Sequence, residues 1–210
     1  MSSRKLTRSI IVGAAAVAVA GGSGFGARGS NARSGPAAGG AVGTVSGVSA
    51  SGFTLSTSAG QKVTIKEASS TSYEKGSSPA SASAVSTGEP VLVLGTTSST
   101  TITATQVIVQ PPSSGGTSPG GQVIPYAKGS QGSTQQVGQI PSDYSQGSGT
   151  IVSGTTADQA TEAALAAYPG GIVDRVVALG NGDYEVHYIG VNWPHHIFVN
   201  QDFQVIGANS

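Results

Sequence analysis

The stretch Asp183–Val199, DYEVHYIGVNWPHHIFV, holds all three histidines of the chain, His187, His195 and His196, together with its single tryptophan, Trp193. Imidazoles ligate zinc or copper and move protons near neutral pH, and two of them with a carboxylate can hold a metal ion that keeps open positions. The nearest carboxylates in sequence are Glu185, two residues before His187, and Asp174, on the strand preceding it. Whether these groups meet depends on hairpin register, because successive residues of a strand face opposite sides of the sheet.

Alternating apolar residues predict four strands here, Ile172–Leu179, Tyr184–Val191, His195–Val199 and Phe203–Ile206. Asn181-Gly182 between the first two suits a type I′ turn, whose central residues need positive φ. That turn sets Leu179 opposite Tyr184, Val177 opposite Val186 and Arg175 opposite Tyr188 on the core surface, with Asp174, Val176, Glu185 and His187 on the reverse. A four-residue turn, Val191–Pro194, then keeps Ile197 and Val199 inside. In this register His187 and His196 lie diagonally on a solvated outer face near Glu185 and Asp174, while His195 points to the other side. The three imidazoles are therefore expected not to converge. An ordinary sheet face is the expected reading; metal binding by His187, His196, Glu185 and Asp174 is the lesser alternative, because no partner that would orient the imidazoles can be identified. Trp193, before Pro194 at the hairpin tip, reads as a packing lid over the sheet end, with contact to a partner as its alternative.

No catalytic residues are expected. No serine is placed beside His187 on its face, and the many serines fall in loops without the strand-to-helix elbow that exposes a nucleophile. Cysteine is absent, which removes thiolate catalysis, thiolate-bound metals and disulfides. The motif GFGARG, Gly24–Gly29, has dinucleotide-binding spacing but follows no predicted strand and opens no helix, so no cofactor is expected from it. Formal net charge is zero and the ten basic residues are scattered, which excludes nucleic acid and anionic membranes as partners.

The elements that would carry these residues occupy only part of the chain. With 32 glycines among 210 residues and charged residues at 10%, much of it is expected to lie outside a packed core. Arg4, Lys5 and Arg8 ahead of the apolar run Ile10–Ala20 predict a cleaved export signal over residues 1–20, hence a secreted or envelope-associated chain with no membrane segment after cleavage. Residues 21–40 read as a disordered lead-in. Over 41–109, alternation at Val45, Phe53/Leu55, Val63/Ile65, Val91/Val93 and Ile102/Ala104 predicts five short strands closing as a small barrel, with Lys75–Gly88 as its long connection. Residues 110–154, rich in Pro, Gly, Ser and Gln, read as a disordered linker in which Tyr126 and Tyr144 are solvated. Over 155–210, a Thr156 cap with Gln159 predicts a helix from Ala157 to Tyr168, buried along Ala157, Ala160, Ala163, Ala164, Ala167 and Tyr168. The fold class expected is two small modules: an all-β barrel, and an α+β unit with one helix on a four-stranded antiparallel meander, joined by the linker.

Residues 157–207 resemble the PepSY family: DQATEAALAAYPGG is similar to its leading helix, GDYEVHY to its tyrosine/Glu-Val strand, and VNQDFQVIG to its closing hairpin. Asn200 stands where the family usually carries aspartate. The resemblance implies an exported, non-catalytic module that contacts a protein partner, a peptidase among the candidates, and it supplies no catalytic residue. The first region resembles small secreted bacterial β-barrel modules through Gly43 and Val45, GFTLST, GQKVTIKE, the Thr71/Tyr73 pair, GEPVLVLG and ITATQV. That resemblance implies no activity. A module that binds the cell wall through the barrel is the second expectation.

Overall fold

The structure, a computed structural model, describes residues 35–110 and 135–210. The expected export signal, lead-in residues 21–34, the GFGARG motif and Tyr126 lie outside the described residues. No helix among the described residues is long and apolar enough to cross a membrane.

The strands are β1 (Ala37–Ser49), β2 (Gly52–Ser56), β3 (Lys62–Lys75), β4 (Ser78–Pro79), β5 (Pro90–Ser98), β6 (Thr101–Val109), β7 (Gln136–Gly138), β8 (Thr150–Ile151), β9 (Ile172–Ala178), β10 (Tyr184–Ile189), β11 (His196–Val199) and β12 (Val205–Asn209); helix α1 (Thr155–Ala167) lies between β8 and β9. Five strands close a barrel in the order β2-β3-β6-β5-β1, with β1 returning to β2. Its alternating residues Val45, Phe53, Leu55, Val63, Ile65, Val91, Val93, Ile102 and Ala104 are all buried in one cluster, as half-buried strands require. The connection Lys75–Gly88 carries β4 and a short 3₁₀ turn, and it buries Val85 in the same cluster.

The expected fold class of two modules joined by a disordered linker is overturned. All twelve strands belong to one sheet, 52% of the described residues are strand, and α1 is the one α-helix among them. The joint is β1 against β9, with Gly40 opposite Val173 and Ala41 opposite Ile172. Gly39 permits it by carrying no side chain, and Gly40 leaves room for the barrel strand and helix packed beside it. A Cβ on Gly39 would lie 2.1 Å from the Val173 carbonyl oxygen, and one on Gly40 2.3 Å from that of Val93 and 3.2 Å from Thr161 Cγ2. Composition alone puts these glycines in a disordered lead-in; the strand pairing puts them in β1.

Two cores follow from the joint. Ile172 enters the barrel cluster, whereas barrel residues Leu92 and Leu94 join α1 and the meander in the other. The helix is thus packed against barrel and meander together, which is why Thr161 and Leu165 are buried beside the alanine face. The helix begins two residues earlier than the Thr156 cap predicts; Gly154 takes the cap position and no side chain caps it. Ser58 Oγ donates to the Pro169 carbonyl and Gln61 Nε2 to that of Gly190, tying the same junction.

The first C-terminal hairpin also differs from expectation. Its loop has three residues, Gly180–Gly182, with the Leu179 N–H donating to the Asp183 carbonyl at 2.8 Å, Gly182 at φ 90°, and Asn181 Oδ1 accepting from the Asp183 N–H. A loop one residue longer shifts pairing by one and reverses the facing of β9: Val176, not Val177, lies opposite Val186 in the core, and Arg175 moves to the outer face opposite His187. Val173 also faces inward, opposite Tyr188. Two inward residues separated by three positions break strict alternation, so one extra residue must bulge between them. That residue is Asp174.

In the second hairpin the expected facing is kept, but the pairing is displaced by two residues: Val186 lies opposite Ile197, and His187 directly opposite His196. The fourth strand runs 205–209 rather than 203–206, with Phe203 stacked on Tyr184 at 5.7 Å. Residues 135–151, expected to be linker, contribute β7, paired with β12, and β8, paired with β9.

Because both cores include barrel and meander residues, the molecule should unfold in one step. Val93→Ala, in the barrel, should lower stability by about 2–3 kcal/mol and shift the Trp193 fluorescence transition together with the far-UV circular dichroism. A Trp193 transition that stays put in Val93→Ala would contradict the shared cores.

Candidate metal centre

The outer face of the meander carries two cross-strand rows. The register aligns Arg175, His187, His196 and Asn209 in one, and Val177, Glu185, Phe198 and Gly207 in the next. The face is not solvated as expected: Glu185, His187 and His196 are 2%, 6% and 3% exposed. The cover is the chain between β7 and β8. These strands pair at opposite sides of the meander, on β12 and β9, so residues 139–149 cross between them over the outer face. Tyr144 packs edge-on against Phe198 at 4.7 Å and against His196 at 5.7 Å, and Asp143 Oδ2 accepts from the Asn181 N–H at 2.9 Å. Burial foremost, then the charge of Glu185, pushes the Tyr144 phenol well above its ordinary range, so it stays protonated. Tyr144 was expected to be solvated; the Pro/Gly/Ser composition around it conceals an anchor.

All three histidines converge, against expectation. The ring centroids of His187 and His195 are 4.5 Å apart, those of His187 and His196 5.2 Å, and those of His195 and His196 4.9 Å. A ring nitrogen of each lies within 4.8 Å of one on each of the others. The two-residue displacement turns the diagonal pair into direct neighbours, and His195 precedes the start of β11, so strand alternation does not dictate its direction.

Two of the imidazoles have oriented partners. His187 Nδ1 lies 2.5 Å from Asp174 Oδ1, and Arg175 Nη1 donates to Asp174 Oδ2 at 3.2 Å. His196 Nδ1 lies 2.6 Å from Glu185 Oε1, with both side chains almost fully buried. An ionised carboxylate only accepts, so Nδ1 carries the proton in each pair and the Nε2 lone pair is left for an electrophile. The bulge at Asp174 serves this directly, since a regular strand would not present Asp174 and Arg175 on the same side. Burial, reinforced by His187 and His196 and opposed by Asp174, lowers the His195 imidazole to about 4, so at pH 7 it is neutral and offers a lone pair.

Of the residues singled out in sequence, His187, His196, Glu185 and Asp174 therefore assemble, and His195 joins them. Trp193 is 4% exposed and packs in the helix–meander core. Arg175, Tyr144 and Asn209 were not foreseen at the site; strand register places Arg175 and Asn209 there, and ring contacts with His196 and Phe198 place Tyr144. Compared with family models, curated proteins and solved structures, the chain matches none.

Tyr144 should shield the cluster. Tyr144→Ala should lower stability by about 1–3 kcal/mol and speed acylation of the histidines by diethyl pyrocarbonate. Unchanged histidine reactivity would show that the crossing segment does not cover them.

Proposed function

We propose that the chain binds one divalent d-block cation, zinc or copper, through His187, His195 and His196. The observation that carries this reading is the pair of Nδ1-to-carboxylate contacts, Asp174 to His187 and Glu185 to His196, at a point where three imidazoles converge. Metal-ligating histidines characteristically hold their second nitrogen on such a partner, which fixes the tautomer and raises ligand basicity. Nitrogens tetrahedral on one zinc at 2.0–2.1 Å are separated by about 3.3 Å, so closure from the present spacing needs side-chain movements of about an ångström. The all-nitrogen donor set suits zinc or copper rather than calcium or magnesium, which prefer oxygen.

The chain's own residues do the positioning. Asp174 and Arg175 hold His187, Glu185 holds His196, and Tyr144 narrows access from the side of Phe198. A bound cation would link β10 to β11 and so stabilise the fold by binding only the native state. The protein-contact role implied by the PepSY resemblance would use the meander, whose outer face is crossed by residues 139–149 and whose inner face is covered by α1, and a wall ligand could not enter a barrel filled by its own side chains. The metal reading is therefore favoured over both.

Titration calorimetry on the full chain should give one site for zinc or copper. His187→Ala, His195→Ala and His196→Ala should each abolish or severely weaken it. Asp174→Asn and Glu185→Gln should weaken it by about 10–100-fold while leaving the ligands in place. Flat titrations of the unmodified chain with both metals would refute the proposal.

A further inference from the structure

Three histidines leave a fourth position on a tetrahedral ion, and the neighbourhood holds one side-chain atom with an unmet requirement. Four buried polar side-chain atoms among the described residues have no hydrogen-bond partner: Thr97 Oγ1, Thr161 Oγ1, Trp193 Nε1 and Asn209 Oδ1. Thr97 and Thr161 lie against Gly39 and Gly40 at the barrel junction, and Trp193 lies in the helix–meander core. Only Asn209 belongs to the imidazole face. Ala208 points into the core opposite Ile197, so Asn209 faces outward, directly opposite His196 and next in the row that His187 and His196 form. Its main chain is tied to the cluster as well, since its carbonyl accepts from the His195 N–H at 2.9 Å.

A buried carboxamide oxygen with no donor is costly, by about 1–3 kcal/mol, and native folds rarely retain one without a use. His187 and His196 turn Nδ1 to Asp174 and Glu185, and the Asn209 oxygen accepts from no donor. A cation is the electrophile that would satisfy it. Resting on the metal reading above, we infer that Asn209 Oδ1 is the fourth protein ligand of the site, making the donor set three imidazoles and one neutral carboxamide oxygen. Such a set encloses the ion with protein atoms. It therefore assigns the metal a binding or structural role, because the position that a hydrolytic centre would keep for water is filled.

The test uses the full chain loaded with cobalt(II), whose visible d–d bands report coordination, alongside zinc affinity by chelator competition. Asn209→Leu should weaken zinc binding about 10-fold and change the cobalt bands, because water or a vacant position replaces the carboxamide. Asn209→Asp, which preserves shape and adds charge, should bind zinc more tightly than the unmodified chain and shift the bands differently; this variant decides the matter if Asn209→Leu fails to fold. Cobalt bands and zinc affinity unchanged in the folded variants would overturn the assignment of Asn209 while leaving the three-histidine site intact. Failure of the unmodified chain to bind either metal would instead remove the underlying site.

Discussion

The close pairing of β1 with β9 is the constraint on which the rest of the molecule depends. Gly39 lets the backbone of Val173 approach a strand of the barrel, Gly40 leaves room there for Val93 and Thr161, and the β1–β9 contact fixes which way the first residues of β9 face. Ile172 must enter the barrel core and Val173 the helix–meander core. Further along, the three-residue loop at Gly180–Gly182 fixes Val176 inward. Two anchors of incompatible phase leave the strand one residue too long, and the surplus is expelled as the bulge at Asp174. The carboxylate that orients His187 is therefore a consequence of how the barrel and the meander are fused.

A second consequence is the burial of the cluster. The residues after the barrel must return to α1, and on the way they add β7 to one side of the meander and β8 to the other. Their crossing lays Tyr144 over His196 and Phe198. Glu185 is thereby removed from water, and an unpaired carboxylate buried in this way would be strongly disfavoured. Its contact with His196 is what makes that burial tolerable. The site's most buried polar pair is thus held by a segment whose composition reads as linker.

Much of the local pattern was legible in the sequence. The barrel's inward residues, the alanine-lined helix and the inward facing of Val186 and Ile197 all follow from period-two or helical alternation. Long-range facts were not. Asn181-Gly182 signals a turn without distinguishing a two-residue from a three-residue loop, and that one residue decides whether Arg175 or Val176 faces the core. The six residues between β10 and β11 left the second register free by two positions, enough to separate the histidines on paper and join them in the fold. Gly39-Gly40 and Tyr144 were concealed for a common reason: small and polar residues look alike in a linker and in a close-packed junction, and only the partner strand tells them apart. The composition pointed to modules; the tertiary contacts make one sheet.

Everything functional in this account rests on three imidazoles sharing one ion. X-ray absorption at the zinc edge, on the full chain carrying one equivalent of zinc, examines that claim most directly. A four-coordinate ion with three imidazole nitrogens at about 2.0–2.1 Å and the outer-ring scattering that imidazoles produce is expected. A six-coordinate oxygen shell, or the scattering of a single imidazole, would contradict it.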